Sequence, residues 1–244
     1  MNVPTITIVT RKSPLALRQA HLVQQQLQSH YPHLKIDILA TTTSGDKIQN
    51  KSLADIGGKD LFVKDLQQVV LDKHAHIAVH SIKDMSVKKT SGLLLAAYCR
   101  RADPRDVFVS ELYEDLQQLP NGALVGTSSP RRQCQLAALN PQLNIQPIRG
   151  NVGTRLQKLA AGECDAIILA AAGLKRLNLE NKIRHYLDPQ VFIPAIAQGA
   201  IGIECREDDV EARDVIAALN HAPSQLCIGV ERAFLRAMDG SCRT

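Results

Sequence analysis

Short apolar runs alternate with longer amphipathic stretches down the whole chain, and the two periods predict strands and helices in turn. Residues 6–10 read as a strand. Ser13-Pro14 then opens a helix to about residue 28, with serine as N-cap and proline in the first helical position. A strand over 34–41, a helix over 61–71 and a strand over 77–81 follow, with the polar, glycine-containing stretch 43–59 expected to be a mobile loop. The second half predicts a strand over 124–127, a helix over 129–139, a strand over 145–149, a helix over 154–161 and a strand over 166–170. Residues 199–204 read as a strand again, and two helices, about 210–219 and 224–238, end the chain.

This alternation predicts an α/β protein with largely parallel or mixed sheets. The halves echo one another. Leu66-Gln67-Gln68-Val69-Val70 with His76-Ile77-Ala78-Val79 aligns without a gap on Leu156-Gln157-Lys158-Leu159-Ala160 with Ala166-Ile167-Ile168-Leu169, and Thr10-Arg11-Lys12-Ser13-Pro14 resembles Gly126-Thr127-Ser128-Ser129-Pro130. Amphipathic helices match by chance, but two matches in the same order favour two related domains facing each other, and a cleft between them is the default ligand site. The polar stretch 100–104 marks a boundary, and the chain is expected to cross back near 194–202.

Composition narrows the functions. With 45% hydrophobic residues the chain can bury a core, so global disorder is excluded. Aromatics make up 3% with no Trp, which argues against a base-stacking nucleic-acid surface. The start lacks a signal-peptide pattern, and the most apolar run, 166–174, is too short to span a bilayer, so a cytoplasmic protein free of membrane is expected. Its six cysteines are then reduced thiols; five lie in apolar or helical stretches and read as packing residues, with Cys242 set apart.

The net charge of +5 matters less than where the cations sit. In Ser128-Ser129-Pro130-Arg131-Arg132 both arginines fall in the first turn of a helix, facing the positive end of its dipole, which is unfavourable unless an anion is bound. Hydroxyls, free N–H groups and guanidiniums there make a receptor for carboxylate or phosphate. Arg149-Gly150-Asn151-Val152-Gly153-Thr154-Arg155 repeats the arrangement, and Arg11, Ser13 and Lys83 also follow strand ends, where α/β sheets bind ligands. Several such clusters imply a ligand with many negative charges. Asp84, beside Lys83 at a strand end, is either a proton-transferring or cation-stabilising carboxylate or an ordinary loop partner of Lys83. His74, His76 and His80 would share a strand face, but nothing completes a metal set, and no metal is expected. Gly57-Gly58-Lys59 is too short for a phosphate loop.

Taken together, Thr10-Arg11-Lys12-Ser13-Pro14-Leu15-Ala16, Gly57-Gly58-Lys59, Val79-His80-Ser81-Ile82-Lys83-Asp84, Asp103-Pro104-Arg105-Asp106, Gly126-Thr127-Ser128-Ser129, Arg131-Arg132, the Arg149–Arg155 motif, Gln198-Gly199 and Gly240-Ser241-Cys242 resemble the hydroxymethylbilane synthase (porphobilinogen deaminase) family, from about residue 5 to Cys242. The resemblance implies two similar domains of periplasmic-binding-protein-like architecture with a cleft between them, plus the start of a small third α/β domain. Residues 1–99 with 200–217 would form the first domain, 100–199 the second and 218–244 the partial third. It implies a monomeric cytoplasmic transferase of tetrapyrrole, porphyrin and heme biosynthesis that deaminates porphobilinogen and joins four units head to tail into hydroxymethylbilane. A dipyrromethane cofactor would be attached to Cys242 by a thioether as primer. Asp84 would be catalytic, interacting with pyrrole nitrogens, assisting loss of ammonia and stabilising an azafulvene-like cation. Lys83, Asp84, Thr127, Ser128, Ser129, Arg131, Arg132 and Arg155 match cofactor-holding positions; Arg11, Ser13, Arg149, Arg155, Arg176 and Gln198 match substrate-binding ones.

The chain departs from the family at Asp55 and Asp60, where Lys and Gly are frequent, and at Ser44, where Arg is common. It also ends at Thr244, two residues past Cys242, where relatives continue into the rest of the third domain. The helix over 224–238 would then expose Leu226, Ile228, Val230 and Phe234. Two other readings stand beside the enzyme: a catalytically impaired fragment or non-catalytic binder of small polyanions, and, from charge alone, a nucleic-acid binder.

Overall fold

The computed structural model describes residues 5–43, 60–238 and 240. The first half of the chain forms β1 (Thr5–Arg11), α1 (Pro14–His30), β2 (Lys35–Thr41), α2 (Asp60–Leu71), β3 (Ile77–Ser81), β4 (Leu93–Tyr98) and β5 (Asp106–Val109). There follow β6 (Leu124–Gly126), α3 (Pro130–Leu139), β7 (Asn144–Gln146), α4 (Val152–Ala160), β8 (Ala166–Ala170) and α5 (Ala171–Arg176), then β9 (His185–Tyr186), β10 (Ile201–Arg206), α6 (Val210–Ala217) and α7 (Ala222–Ala237). The chain divides into two compact units, one built from residues up to Arg101 with those from Ala200 on, the other from Ala102 to Gly199.

In the first unit the sheet order is β2-β1-β3-β10-β4. The first three strands are parallel and β10 runs antiparallel between β3 and β4. Alternate residues feed two cores: Ile6, Ile8, Ile77 and Val79 pack with Val23, Leu27 and Ile216 on one face, and Val9 and Ala78 pack with Leu66 and Val70 on the other. That period of two is what a strand covered on both faces requires. Helix α1 starts as its sequence predicts: the Ser13 hydroxyl accepts from the Ala16 N–H at 3.4 Å, and Gln19, Ala20, Val23 and Leu27 form its buried stripe.

The second unit repeats the plan, with order β7-β6-β8-β5-β9, parallel β6, β7 and β8, and antiparallel β5. Both sequence echoes fall at equivalent places. The α2–β3 pair answers α4–β8, and the β1–α1 junction answers β6–α3. Ile167 and Leu169 face one core and Ala166 and Ile168 the other.

The structure alters several sequence expectations. Strand β7 stops at Gln146, not at Arg149, because Pro147 has no N–H to continue the ladder. Helix α4 begins at Val152, capped by Asn151, whose side chain accepts from Thr154 N at 2.9 Å, so Arg155 lies a turn inside. Ser129 occupies the N-cap position of α3, but its side chain makes no capping bond. Cys134 and Cys227 are exposed rather than packed, whereas Cys99, Cys164 and Cys205 are buried. On α7, Leu226, Val230 and Phe234 are exposed as expected, at 71%, 64% and 62%, but Ile228 is fully buried. It shares the inward face with Ser224, four positions before it, and Leu235, seven positions after it. Helix α7 is fastened to the first unit: Arg101 N–H donates to Ser224 Oγ at 2.9 Å, and the Arg101 guanidinium grips the Glu231 carboxylate with both terminal nitrogens.

Candidate active site

The parallel strands of the first unit end at Arg11 and Ser81, and β10 begins at the same edge, with Ile201 paired to Ser81. Arg11 is the last residue of β1 and Ser13 the cap of α1. Beyond β3 the chain turns tightly over Ile82–Asp84, closed by Met85 N–H donating to Ile82 C=O at 3.0 Å. Ile82, wholly buried, anchors this turn, and Ile82 N–H donates to Ala200 C=O at 3.1 Å. Space for Ile82 exists because residue 202 is glycine: a Cβ there would lie 2.8 Å from Ile82 Cγ1 and 2.7 Å from Leu95 Cδ1. Lys83 and Asp84 are consequently half-exposed on a turn whose flanks, Ile82 and Met85, are buried. Ser81 is held in turn by the buried Gln19 of α1, whose Nε2 donates to Ser81 Oγ at 2.8 Å.

The histidines form no shared cluster. His74 is exposed before the strand, His76 accepts from Thr7 N–H at 2.9 Å, and His80 lies buried with Nε2 3.2 Å from Glu204 Oε2, close enough to pair but not aligned as a hydrogen bond. Glu204 also accepts from Gln67 Nε2 at 3.1 and 3.0 Å, and Gln67 Oε1 accepts from Thr90 Oγ1 at 3.1 Å. Among the described residues no group of three or more His, Cys, Asp or Glu could hold a metal.

In the second unit the register pairs Asp106, the first residue of β5, with Ala170, the last of β8. That brings a buried carboxylate to the edge where the parallel strands end. Arg132 donates to Asp106 Oδ1 from Nε at 3.2 Å and Nη2 at 2.6 Å, and Arg131 Nη2 donates to Oδ2 at 2.6 Å. Gln198, fully buried, adds Nε2 at 2.9 Å and also donates to Pro104 C=O at 2.7 Å. Burial pushes the Asp106 carboxyl upward, but Arg132, Arg131 and the Gln198 amide outweigh it and hold the group below the usual carboxylate range. Desolvation pulls the Arg131 guanidinium down, against Asp106.

The arginines at the start of α3 are thus already matched to an anion of the protein. The expectation that only a bound ligand would justify their place at the positive helix end is corrected by Asp106, a residue whose pairing the local sequence does not show. One of the two charges remains in excess. Beside them, Asp103 accepts from Arg105 Nη2 at 2.7 Å and Lys175 Nζ at 3.3 Å, and the Arg105 hydrogen bonds, chiefly, hold its carboxyl far below the ordinary range. Arg105 also stacks 4.2 Å above the Tyr186 ring. Two carboxylates therefore stand against four cations along this edge, a surplus of two positive charges.

The other expected residues sit around them. Thr127, buried, accepts on Oγ1 from Ser129 N–H at 3.2 Å, and Ser128 Oγ donates to Ile148 C=O at 2.7 Å. Half-exposed Arg149 precedes Gly150, whose φ of +106° and carbonyl set the next turn, with Arg155 Nε donating to that carbonyl at 2.9 Å. Arg176 Nη2 donates to Gly199 C=O at 2.7 Å. Gly199 has φ +87°, and a Cβ there would lie 2.5 Å from Ala102 C=O. Cys242, Ser44, Asp55 and Gly57-Gly58-Lys59 lie outside the described residues, as does the side chain of Asp60.

A family model described as "porphobilinogen deaminase, dipyromethane cofactor binding domain" matches residues 6–214. A porphobilinogen deaminase of Coxiella burnetii (strain Dugway 5J108-111) is 55% identical over 240 residues, 98% of this chain and 78% of that protein, and the enzyme of strain RSA 331 / Henzerling II matches equally. Solved structures share the fold: the methionine-binding protein MetQ superposes with TM-score 0.56 at 12% identity over 98% of this chain and 97% of that one. A periplasmic substrate-binding protein of an ABC transporter from Coxiella burnetii gives 0.54 at 14% identity, over 93% and 96%. At these identities the likeness is one of architecture alone.

Proposed function

The chain belongs to the porphobilinogen deaminase family, and on that premise we propose that the turn carrying Asp84 and the cationic edge of the second unit carry out the family reaction here. The protein is a transferase of porphyrin and heme biosynthesis that polymerises porphobilinogen with a dipyrromethane cofactor. The observation that carries the assignment of residues is the surplus of two positive charges around Asp103 and Asp106. Each porphobilinogen brings an acetate and a propionate, so the growing chain is a polyanion, and a guanidinium-rich edge has the donor chemistry to hold it.

The same donor set fits the cofactor. When bound through Cys242, a dipyrromethane supplies the primer to which porphobilinogen units are joined. Arg131, Arg132 and Arg155, with Thr127, Ser128, Ser129 and Lys83, would hold its carboxylates. Asp106 accepts from both α3 guanidiniums and leaves one positive charge for the ligand. Arg11, Ser13, Arg149, Arg176 and Gln198 would receive substrate carboxylates, Gln198 chiefly by positioning Asp106. Asp84 would take the catalytic role: half-exposed beside Lys83, its carboxylate would accept a proton or hydrogen bond from a pyrrole N–H and stabilise positive charge at the reacting centre. Work as a cytoplasmic monomer, and residues 218–244 as the beginning of a third domain, belong to the same reading.

Intact mass spectrometry of the chain purified from cells that make porphobilinogen tests it. A covalent dipyrromethane is expected on the protein and none on Cys242→Ser. An unmodified mass under conditions that load a homologue would overturn the reading.

A further inference from the structure

On the first unit, a cavity of about 420 Å³ opens between α2, the segment 85–90 and α7, and its charge is unbalanced. Lys64, Lys88, Lys89, Arg232 and Arg236 line it against one carboxylate, Glu204, which Gln67 and His80 already cover. Lys89 is taken by Glu207. Arg232 is half-buried, and among the described residues its five N–H donors meet one neutral acceptor, Ser86 C=O, at 2.7 Å. Arg236 likewise donates to Val87 C=O at 3.2 Å. Burial, with help from the neighbouring Arg236, lowers the Arg232 guanidinium's affinity for its proton against the opposing pull of Tyr98 and Glu204. A partly desolvated cation whose hydrogen bond among the described residues goes to a neutral carbonyl is a costly arrangement that an anion would relieve. The rest of the wall is apolar, with Met85, Leu93 and Tyr98 among its residues, so a bare inorganic ion would leave most of the space unused.

We propose that this cavity binds a small organic anion, one or two carboxylates on a flat or apolar carbon skeleton, with Arg232 and Lys88 as its charged contacts. The inference rests on the cavity alone and not on the assignment of Asp84.

Phthalate serves as the probe, titrated calorimetrically into the whole protein at low salt. Saturable one-site binding is expected, weakened about tenfold or more by Arg232→Gln and by Lys88→Glu, since each removes a charge-assisted contact worth about 1.4 kcal/mol or more. Lys88 is exposed, so its variant keeps the fold even if Arg232→Gln does not, and circular dichroism verifies this. Asp84→Asn should leave phthalate binding unchanged, which separates this site from the catalytic proposal. Absence of saturable heat, indifference to both variants, or sulfate binding as tightly as phthalate would each overturn it.

Discussion

Arg132 meets Asp106 side-on, Nε and Nη2 both directed at Oδ1, while its remaining nitrogen Nη1 donates to Ile168 C=O at 2.9 Å. The arginine is thus fully engaged inside the second unit and joins α3 to β5 and β8. This makes it part of the fold as well as of the ligand edge. Breaking a buried pair by removing one partner typically costs about 3–5 kcal/mol, since the other charge is stranded. We expect Arg132→Ala and Asp106→Leu each to lower unfolding free energy by that order in urea titrations, whereas Arg155→Ala, which loses an exposed bond to Gly150 C=O, should cost below about 1 kcal/mol. Equal stabilities for Arg132→Ala and wild type would remove this role.

The pair also has a pH signature. Because the folded-state Asp106 carboxyl lies below its unfolded value, its contribution is fully present above about pH 4 and is lost as pH falls through the folded value. Stability of the wild type should therefore fall more steeply on acidification below about pH 4 than that of Asp106→Asn. Parallel curves would contradict the assignment.

Asp84→Asn should leave the fold intact, because the side chain is half-exposed and the turn is anchored by Ile82 and Met85. Turnover of porphobilinogen should drop by about 10²–10⁴-fold, the usual effect of losing a positioned acid or base. Unchanged circular dichroism with near wild-type turnover would take Asp84 out of the chemistry.

Much of this arrangement was legible beforehand. The Ser13-Pro14 cap, the β3 strand and the pairing of the two echoes all rest on local chemistry that survives folding. Three features were not. Strand β5 has only Val107, Phe108 and Val109 after Asp106, too few residues to show a period, so the carboxylate that organises the arginines had no visible strand to bring it there. Helix α5 follows β8 without a break: Ala170 caps it with no side-chain bond, and the continuous apolar run hid the change from strand to helix. On α7 the buried side of Ile228 depends on which face Arg101 and Ser224 turn toward the sheet, a tertiary fact.

Gly199 and Gly162 provide a controlled comparison. Both have positive φ, +87° and +76°, but a Cβ at 162 meets nothing within 4 Å while one at 199 would strike the Ala102 carbonyl. Gly162→Ala should cost about 1–2 kcal/mol for the left-handed backbone alone. Gly199→Ala should cost clearly more and should also disturb Arg176, which uses the same carbonyl, so it should weaken porphobilinogen binding as well. Similar melting temperatures for the two variants would refute the steric argument.

Thiol accessibility checks the packing directly. Cys134 and Cys227 should react with iodoacetamide in the native protein, while Cys99, Cys164 and Cys205 should be protected until unfolding. Cys205 is doubly shielded, since burial, with Asp209 nearby, pushes its thiol up to about 11. Peptide mapping that finds Cys205 labelled as fast as Cys134 would place β10 wrongly.

The place of β10 also bears on how the molecule is made. It is synthesised after the whole second unit, yet it lies between β3 and β4 and bonds to both. On a ribosome, residues 102–199 have every strand of their own sheet in hand and are free to fold as they emerge. The first unit, though translated earlier, must wait with β3 and β4 unjoined and their edges exposed until Arg206 has cleared the exit tunnel. The half of the protein that bears Asp84 is therefore the last to be finished, and the nascent chain is open to chaperones and proteases for as long as it takes to translate a domain.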